Sequence, residues 1–204
     1  MIVIVDYHMG NLGSILNMLK KIGAPAVISS RTDDLAAAEK LILPGVGSFD
    51  AGMKNIADLG LRPVLERKVI EEKTPVLGIC LGMQLLARRS EEGERPGLGW
   101  IEAEAVRFRF PGNNGKLKVP HMGWNFLEVH RPHPLLEGLT GSRFYFVHSY
   151  HVVCRDQGDV LATAGHGLDV TAVLARGHVM GTQFHPEKSH KYGLRLLGNF
   201  ARLQ

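Results

Sequence analysis

Short apolar runs alternate with amphipathic segments through the first half of the chain. Ile2 to Asp6 is followed by Leu12 to Ile22, Ala26 to Ser30 by Asp33 to Ala38, and Lys40 to Leu43 by Phe49 to Asp58. A strand that is apolar throughout must be covered on both faces, so this rhythm predicts parallel strands joined by crossover helices. Gly23, directly after Ile22, is a helix stop signal. Pro75 to Cys80 reads as a central strand that feeds a helix over Leu81 to Arg89.

The second half changes period. Ile101 to Phe110, Phe126 to Val129, Arg143 to Cys154, Val160 to Ala164 and Thr171 to Ala175 read as strands separated by Gly-rich turns. They predict antiparallel hairpins added to one edge of the parallel sheet. Tyr192 to Leu203 returns to helical spacing, with Leu194, Leu197, Phe200 and Ala201 on one stripe. Gly- and Pro-rich loops fall at Pro44 to Gly47, Gly93 to Gly99 and Pro111 to Gly115. No repeat or linker interrupts the 204 residues, so one domain over 1–204 is expected.

Composition narrows the function classes. A net charge of +4 is spread along the chain, and the densest basic runs, Arg107 to Arg109 and Lys116 to Lys118, lack the aromatic interleaving of a nucleic-acid reader. They read as a solvated face. Two cysteines, Cys80 and Cys154, are too few for a disulfide scaffold and fit a reducing compartment. The N-terminal residues lack the features of a signal peptide, and no apolar stretch approaches the roughly 20 residues that span a bilayer. A cytoplasmic protein without membrane or nucleic-acid contact is expected.

Three segments carry candidate chemistry. In Val76-Leu77-Gly78-Ile79-Cys80-Leu81-Gly82-Met83-Gln84, an apolar strand enters a helix through Gly-x-Cys-x-Gly. That is the spacing of a nucleophile elbow, where small neighbours permit the sharp turn that lifts the nucleophile above the sheet. A helix N-terminus favours the thiolate, and the Leu81 N–H can face a developing oxyanion. By itself the segment also fits a buried Cys with two packing glycines. In Gln183-Phe184-His185-Pro186-Glu187, Pro186 favours an extended His185, which puts His185 and Glu187 on one side of the chain. A carboxylate so placed fixes the imidazole tautomer; a capped turn before the last helix is the plainer reading. Leu43-Pro44-Gly45-Val46-Gly47-Ser48 lies at the carboxyl end of the third predicted strand, where open parallel sheets bind ligands. Gly45 and Gly47 would let backbone N–H groups approach a reacting carbonyl; by itself the segment reads more simply as a plain turn before a helix.

Together, Gly-Ile-Cys-Leu-Gly-Met-Gln at 78–84 and His-Pro-Glu at 185–187 resemble the class I, triad-type glutamine amidotransferases. Asp6 to Leu12, Pro44 to Phe49, Pro120 to Asn125 and Tyr145 to Tyr150 are similar to segments of the glutaminase subunits of imidazole glycerol phosphate synthase. The resemblance runs from residue 2 to the last helix. It implies a three-layer α/β sandwich with a mainly parallel central sheet, flanked by helices and with antiparallel hairpins at one edge. It implies that Cys80 attacks the glutamine carboxamide, that His185 carries protons and that Glu187 orients it. The oxyanion would rest on Leu81 and the Gly45-Val46 segment, and glutamine on Gly47, Gln84, Ser149 and Tyr150.

The partner implied is a (β/α)8-barrel cyclase subunit in a heterodimer. That subunit receives the ammonia and forms imidazole glycerol phosphate and aminoimidazole carboxamide ribonucleotide in histidine biosynthesis. Asn11, Met122, Trp124 and Lys188 match interface positions. An isolated chain with little glutaminase activity is also implied, with the Pro-Gly-Val-Gly segment as the switch. One departure is His8, which stands where the pattern has Gly and would be strained if that position needs a positive φ. Neither cofactor nor metal is expected, since the pairs His148 with His151 and His166 with His178 lack supporting ligands. A related amidino-sugar glutaminase and a non-catalytic scaffold on the same fold are the alternatives.

Overall fold

The computed structural model describes residues 1–110 and 117–203; the Pro111 to Gly115 loop and Lys116 lie outside the described residues. Strand β1 (Ile2–Val5) leads into α1 (Leu12–Lys21), and β2 (Ala26–Ser29) into α2 (Thr32–Ala36). Strand β3 (Lys40–Gly45) leads into α3 (Phe49–Asp58) and α4 (Arg62–Glu66). Strand β4 (Val76–Cys80) runs directly into α5 (Leu81–Leu85). The second half holds β5 (Arg89–Ser90), β6 (Ala103–Arg107), β7 (His121–Phe126), β8 (Glu128–Val129), β9 (Arg143–His148) and β10 (Tyr150–Cys154). It ends with β11 (Val160–Gly165), β12 (Asp169–Arg176), β13 (Val179–Thr182) and α6 (His190–Arg202).

The main sheet has eight strands in the order β2-β1-β3-β4-β13-β12-β11-β8. The pairings from β2 through β13 are parallel, and those beyond β13 are antiparallel. Alternate strand residues point to opposite faces, which divides the core in two. Val3, Val5, Leu41 and Leu43 meet Phe49, Met53 and Ile56 of α3 on one face. Ile2, Ile4, Ile42, Leu77 and Ile79 meet Ile15 and Leu19 of α1 and Leu196, Leu197 and Phe200 of α6 on the other. This is the helix–sheet–helix sandwich expected from the apolar strands.

The expected antiparallel edge is built by β12, β11 and β8, while the remaining strands form two separate small sheets, β10-β6-β5 and β7-β9. The single strand expected over Arg143 to Cys154 is two, because the chain leaves one small sheet and enters the other at Ser149. The helix expected to reach Arg89 stops at Leu85. The carbonyls of Leu85, Leu86 and Ala87 are taken by the N–H groups of Leu98, Ile101 and Gly99, so the returning loop ends the helix. On α6, Leu196 is buried where Leu194 was expected to be, since Asn199 donates to the carbonyls of Leu135 and Glu137 and turns that face inward.

Candidate active site

The elbow is set by two close approaches. Cys80 adopts φ 53° and ψ −107°, a region that costs a non-glycine residue about 1–3 kcal/mol. A Cβ on Gly82 would lie 1.7 Å from the Leu43 oxygen, and one on Gly78 would lie 2.7 Å from the Gly82 backbone. Glycine is therefore required on both sides of the cysteine for α5 to cross β3 and β4 so tightly.

Strand order brings the second half of the site to this corner. Strand β13 lies beside β4 with Thr182 opposite Ile79, so the chain that follows, Gln183 to Glu187, emerges next to Cys80. His185 is held extended by its N–H bond to the Tyr145 carbonyl (2.9 Å), and its own carbonyl accepts from the Ser189 hydroxyl (2.6 Å). Its Nδ1 pairs with Glu187 Oε1 at 2.8 Å, with both side chains 1% exposed. A carboxylate only accepts, so the Nδ1 proton faces Glu187 and Nε2 faces the cavity. Nε2 is buried without a hydrogen-bond partner of its own. Burial opposes the imidazolium, but the neighbouring Cys80 sulfur and the Glu187 carboxylate outweigh it and raise His185 to about 10.

A cavity of about 230 Å³ opens over the sulfur, lined by Val46, Gly47, Cys80, Leu81, Gln84, Glu92, Pro120, Val147, His148, Ser149, Tyr150 and His185. It thus collects the expected nucleophile, base, oxyanion residues Val46 and Leu81, and all four expected glutamine-contacting residues. Gly45 sits behind this wall, opposite Cys80 in the β3–β4 register and packed against Leu81. A larger cavity of about 640 Å³, lined by Met1, Pro25, Lys40 and Arg195, lies at the amino ends of the strands. Its described lining residues include no Cys, Ser or Thr, and ligands of open parallel sheets gather at the carboxyl ends.

Three residues missed by sequence reasoning join the site. Glu92 lines the cavity and accepts from the Phe49 N–H at 2.8 Å. Gln183 aims its amide nitrogen at the Cys80 sulfur (3.8 Å). Tyr7, fully buried, donates its hydroxyl to the Pro44 carbonyl and so anchors the segment that precedes Val46; burial, with Cys80 nearby, raises its pKa. Glu92 sits among ordinary surface acids in Ser-Glu-Glu-Gly-Glu, and only the fold separates it from them.

The expected interface residues are exposed. Asn11 precedes α1, Lys188 lies over the Tyr145 ring at 5.8 Å, and Met122 and Trp124 project from the outer face of β7 with Phe126. His8 has φ 63°, the strained conformation anticipated for it, and its N–H bonds Asp6 at 3.0 Å. His148 and His151 pack against Phe108, and His178 bonds the Val69 carbonyl. Among the described residues no cluster of three metal-ligating side chains occurs, and no helix is long and apolar enough to cross a membrane.

Residues 3–202 match the family model described as glutamine amidotransferase class-I. The chain belongs to the class-I glutamine amidotransferases. It is 52% identical over 204 residues to an imidazole glycerol phosphate synthase subunit HisH 2 of Pseudomonas aeruginosa, with each chain fully covered. A subunit of the same name from Methanococcus maripaludis is 50% identical, with 99% of each chain covered. A crystal structure of a glutamine amidotransferase superposes with TM-score 0.73 at 26% identity, covering 98% of this chain and 99% of the other. The class-I fold is thus the frame that holds Cys80, His185 and Glu187 together.

Proposed function

We propose that this chain is the single-domain glutaminase subunit of imidazole glycerol phosphate synthase, acting in the cytoplasm with Cys80, His185 and Glu187 as its catalytic residues. The observation that carries the reading is the buried His185–Glu187 pair, which directs the one unpartnered ring nitrogen toward the Cys80 cavity. The Cys80 thiol gives its proton to His185 Nε2, the sulfur attacks the side-chain carbonyl carbon of glutamine, and the oxyanion is received by the Leu81 N–H and one from Gly45-Val46. His185 protonates the amide nitrogen, the C–N bond breaks, and ammonia leaves a glutamyl thioester. His185 then takes a proton from water, whose oxygen displaces the sulfur as glutamate departs.

Gly47, Gln84, Ser149 and Tyr150 hold glutamine, and Glu92 supplies the negative charge that suits its α-ammonium group. Replacing Glu92 with glutamine should raise the KM for glutamine about tenfold or more with a smaller change in kcat. Steady-state glutamate release reads this, and an unchanged KM removes Glu92 from the binding set.

Met122, Trp124 and Phe126 form an exposed apolar row, with Arg143 over the Trp124 ring at 5.3 Å. Such a row with a polar rim suits a protein partner, here a (β/α)8-barrel cyclase docked as a heterodimer through Asn11, Met122, Trp124 and Lys188. The cyclase takes the ammonia and forms imidazole glycerol phosphate and aminoimidazole carboxamide ribonucleotide. Glutamate release should rise by about 100-fold when the cyclase and its nucleotide are added. Equal rates with and without them contradict partner-dependent activation, and no release in either case contradicts the glutaminase reading.

A further inference from the structure

The carbonyl of Tyr150 has two donors: Gln84 Nε2 at 3.0 Å and His148 Nδ1 at 2.8 Å. A carbonyl only accepts, so Gln84 must turn its NH2 group toward it, and His148 must carry its proton on Nδ1. The Nε2 of a neutral His148 is then bare and accepts from His121 Nδ1 at 3.0 Å. His121 Nε2 in turn accepts from Asn125 Nδ2 at 3.1 Å. Asn125 cannot flip, since its Oδ1 accepts from the Phe126 N–H (2.9 Å) and its Nδ2 also donates to the Gly165 carbonyl (2.8 Å). The chain of donors therefore runs one way, from Asn125 to Tyr150.

Neutral imidazoles are what the surroundings favour. Burial pushes His121 down to about 4 and His148 down to about 3. The His121 ring is fixed between Phe146, stacked at 4.6 Å, and His166, stacked at 4.3 Å. At the other end, the second amide hydrogen of Gln84 goes to Gln183 Oε1 at 3.3 Å. Both Gln84 hydrogens are committed, and Oε1 is the group left for a ligand.

We propose that Asn125, His121 and His148 are positioning residues that lock the Gln84 amide, so that its Oε1 accepts an N–H of the bound glutamine. This rests on glutamine being the substrate. It also ties the pocket to β7, whose inner face carries His121 and Asn125 and whose outer face carries the exposed apolar row.

The test is glutamine titration of the assembled synthase. His148→Phe removes both ring nitrogens and should raise KM about tenfold or more, by a larger factor than kcat falls. His148→Asn keeps an N–H near the Nδ1 position and should recover most of that loss. An unchanged KM in the first variant, or an equal loss in the second, overturns the proposal. In the wild-type chain with ¹⁵N-labelled histidine, His121 and His148 should both be protonated at Nδ1 and bare at Nε2 between about pH 6 and 8. A His148 protonated at Nε2 overturns the proposal without requiring any variant to fold. If the wild-type synthase releases no glutamate, the glutaminase reading fails instead, and the tautomer spectrum still judges the relay.

Discussion

Replacing Cys80 by alanine should reduce glutamate release by the assembled synthase about 1,000-fold or more, with the fold and partner binding retained. Among the described residues no other group lining the cavity can form the thioester: the rest are apolar, amide, hydroxyl, imidazole or carboxylate groups. The side chain removed is small, so the loss of stability should stay at about 1 kcal/mol. The second cysteine is the control. Cys154 is 3% exposed in β10, and burial pushes its thiol up to about 12, so Cys154→Ala should leave kcat unchanged. Parallel activity assays and denaturant titrations check the pair. Substantial activity in Cys80→Ala contradicts the covalent mechanism.

The largest effect on stability should come from Gly82→Ala, a single added methyl group. The new Cβ would stand 1.7 Å from the Leu43 oxygen, a backbone atom in a central strand that cannot turn aside as a side chain can. Either α5 must lift away from β3 or the strand must shift, and both break the pairing that aligns Gly45 with Cys80. A loss of about 3 kcal/mol or more is expected, enough to leave much of a marginal protein unfolded. Gly13→Ala is the opposite case, since nothing lies within 4 Å of its Cβ in helix α1. That variant should be stabilised by about 0.5–1 kcal/mol, the helix propensity difference. Urea midpoints read both, and a Gly82→Ala protein as stable as wild type contradicts the tight-elbow account.

The parallel core was legible because strands such as Ile2–Val5 and Val76–Cys80 are apolar throughout and each is followed by a helix. The elbow was legible because its glycines lie within two residues of Cys80. Residues whose role depends on distant partners were not. Glu92 lines the pocket while its carboxylate takes the Phe49 N–H, 43 residues away at the start of α3, and nothing local to it signals that. The break at Ser149 was hidden for a similar reason: Arg143 to Cys154 has unbroken strand propensity, and only the competing partners β7 and β6 divide it. In the sequence His148 was set beside His151, its near neighbour in the chain, whereas strand pairing sets it opposite His121.

The most direct test of the account is to label the assembled synthase with 6-diazo-5-oxo-L-norleucine, a glutamine mimic that alkylates an attacking thiolate, and to map the adduct by peptide mass spectrometry. One adduct on Cys80, suppressed by excess glutamine and absent from Cys154, is the predicted result. An adduct on Cys154, or a Cys80 left unlabelled while wild-type turnover proceeds, would contradict it.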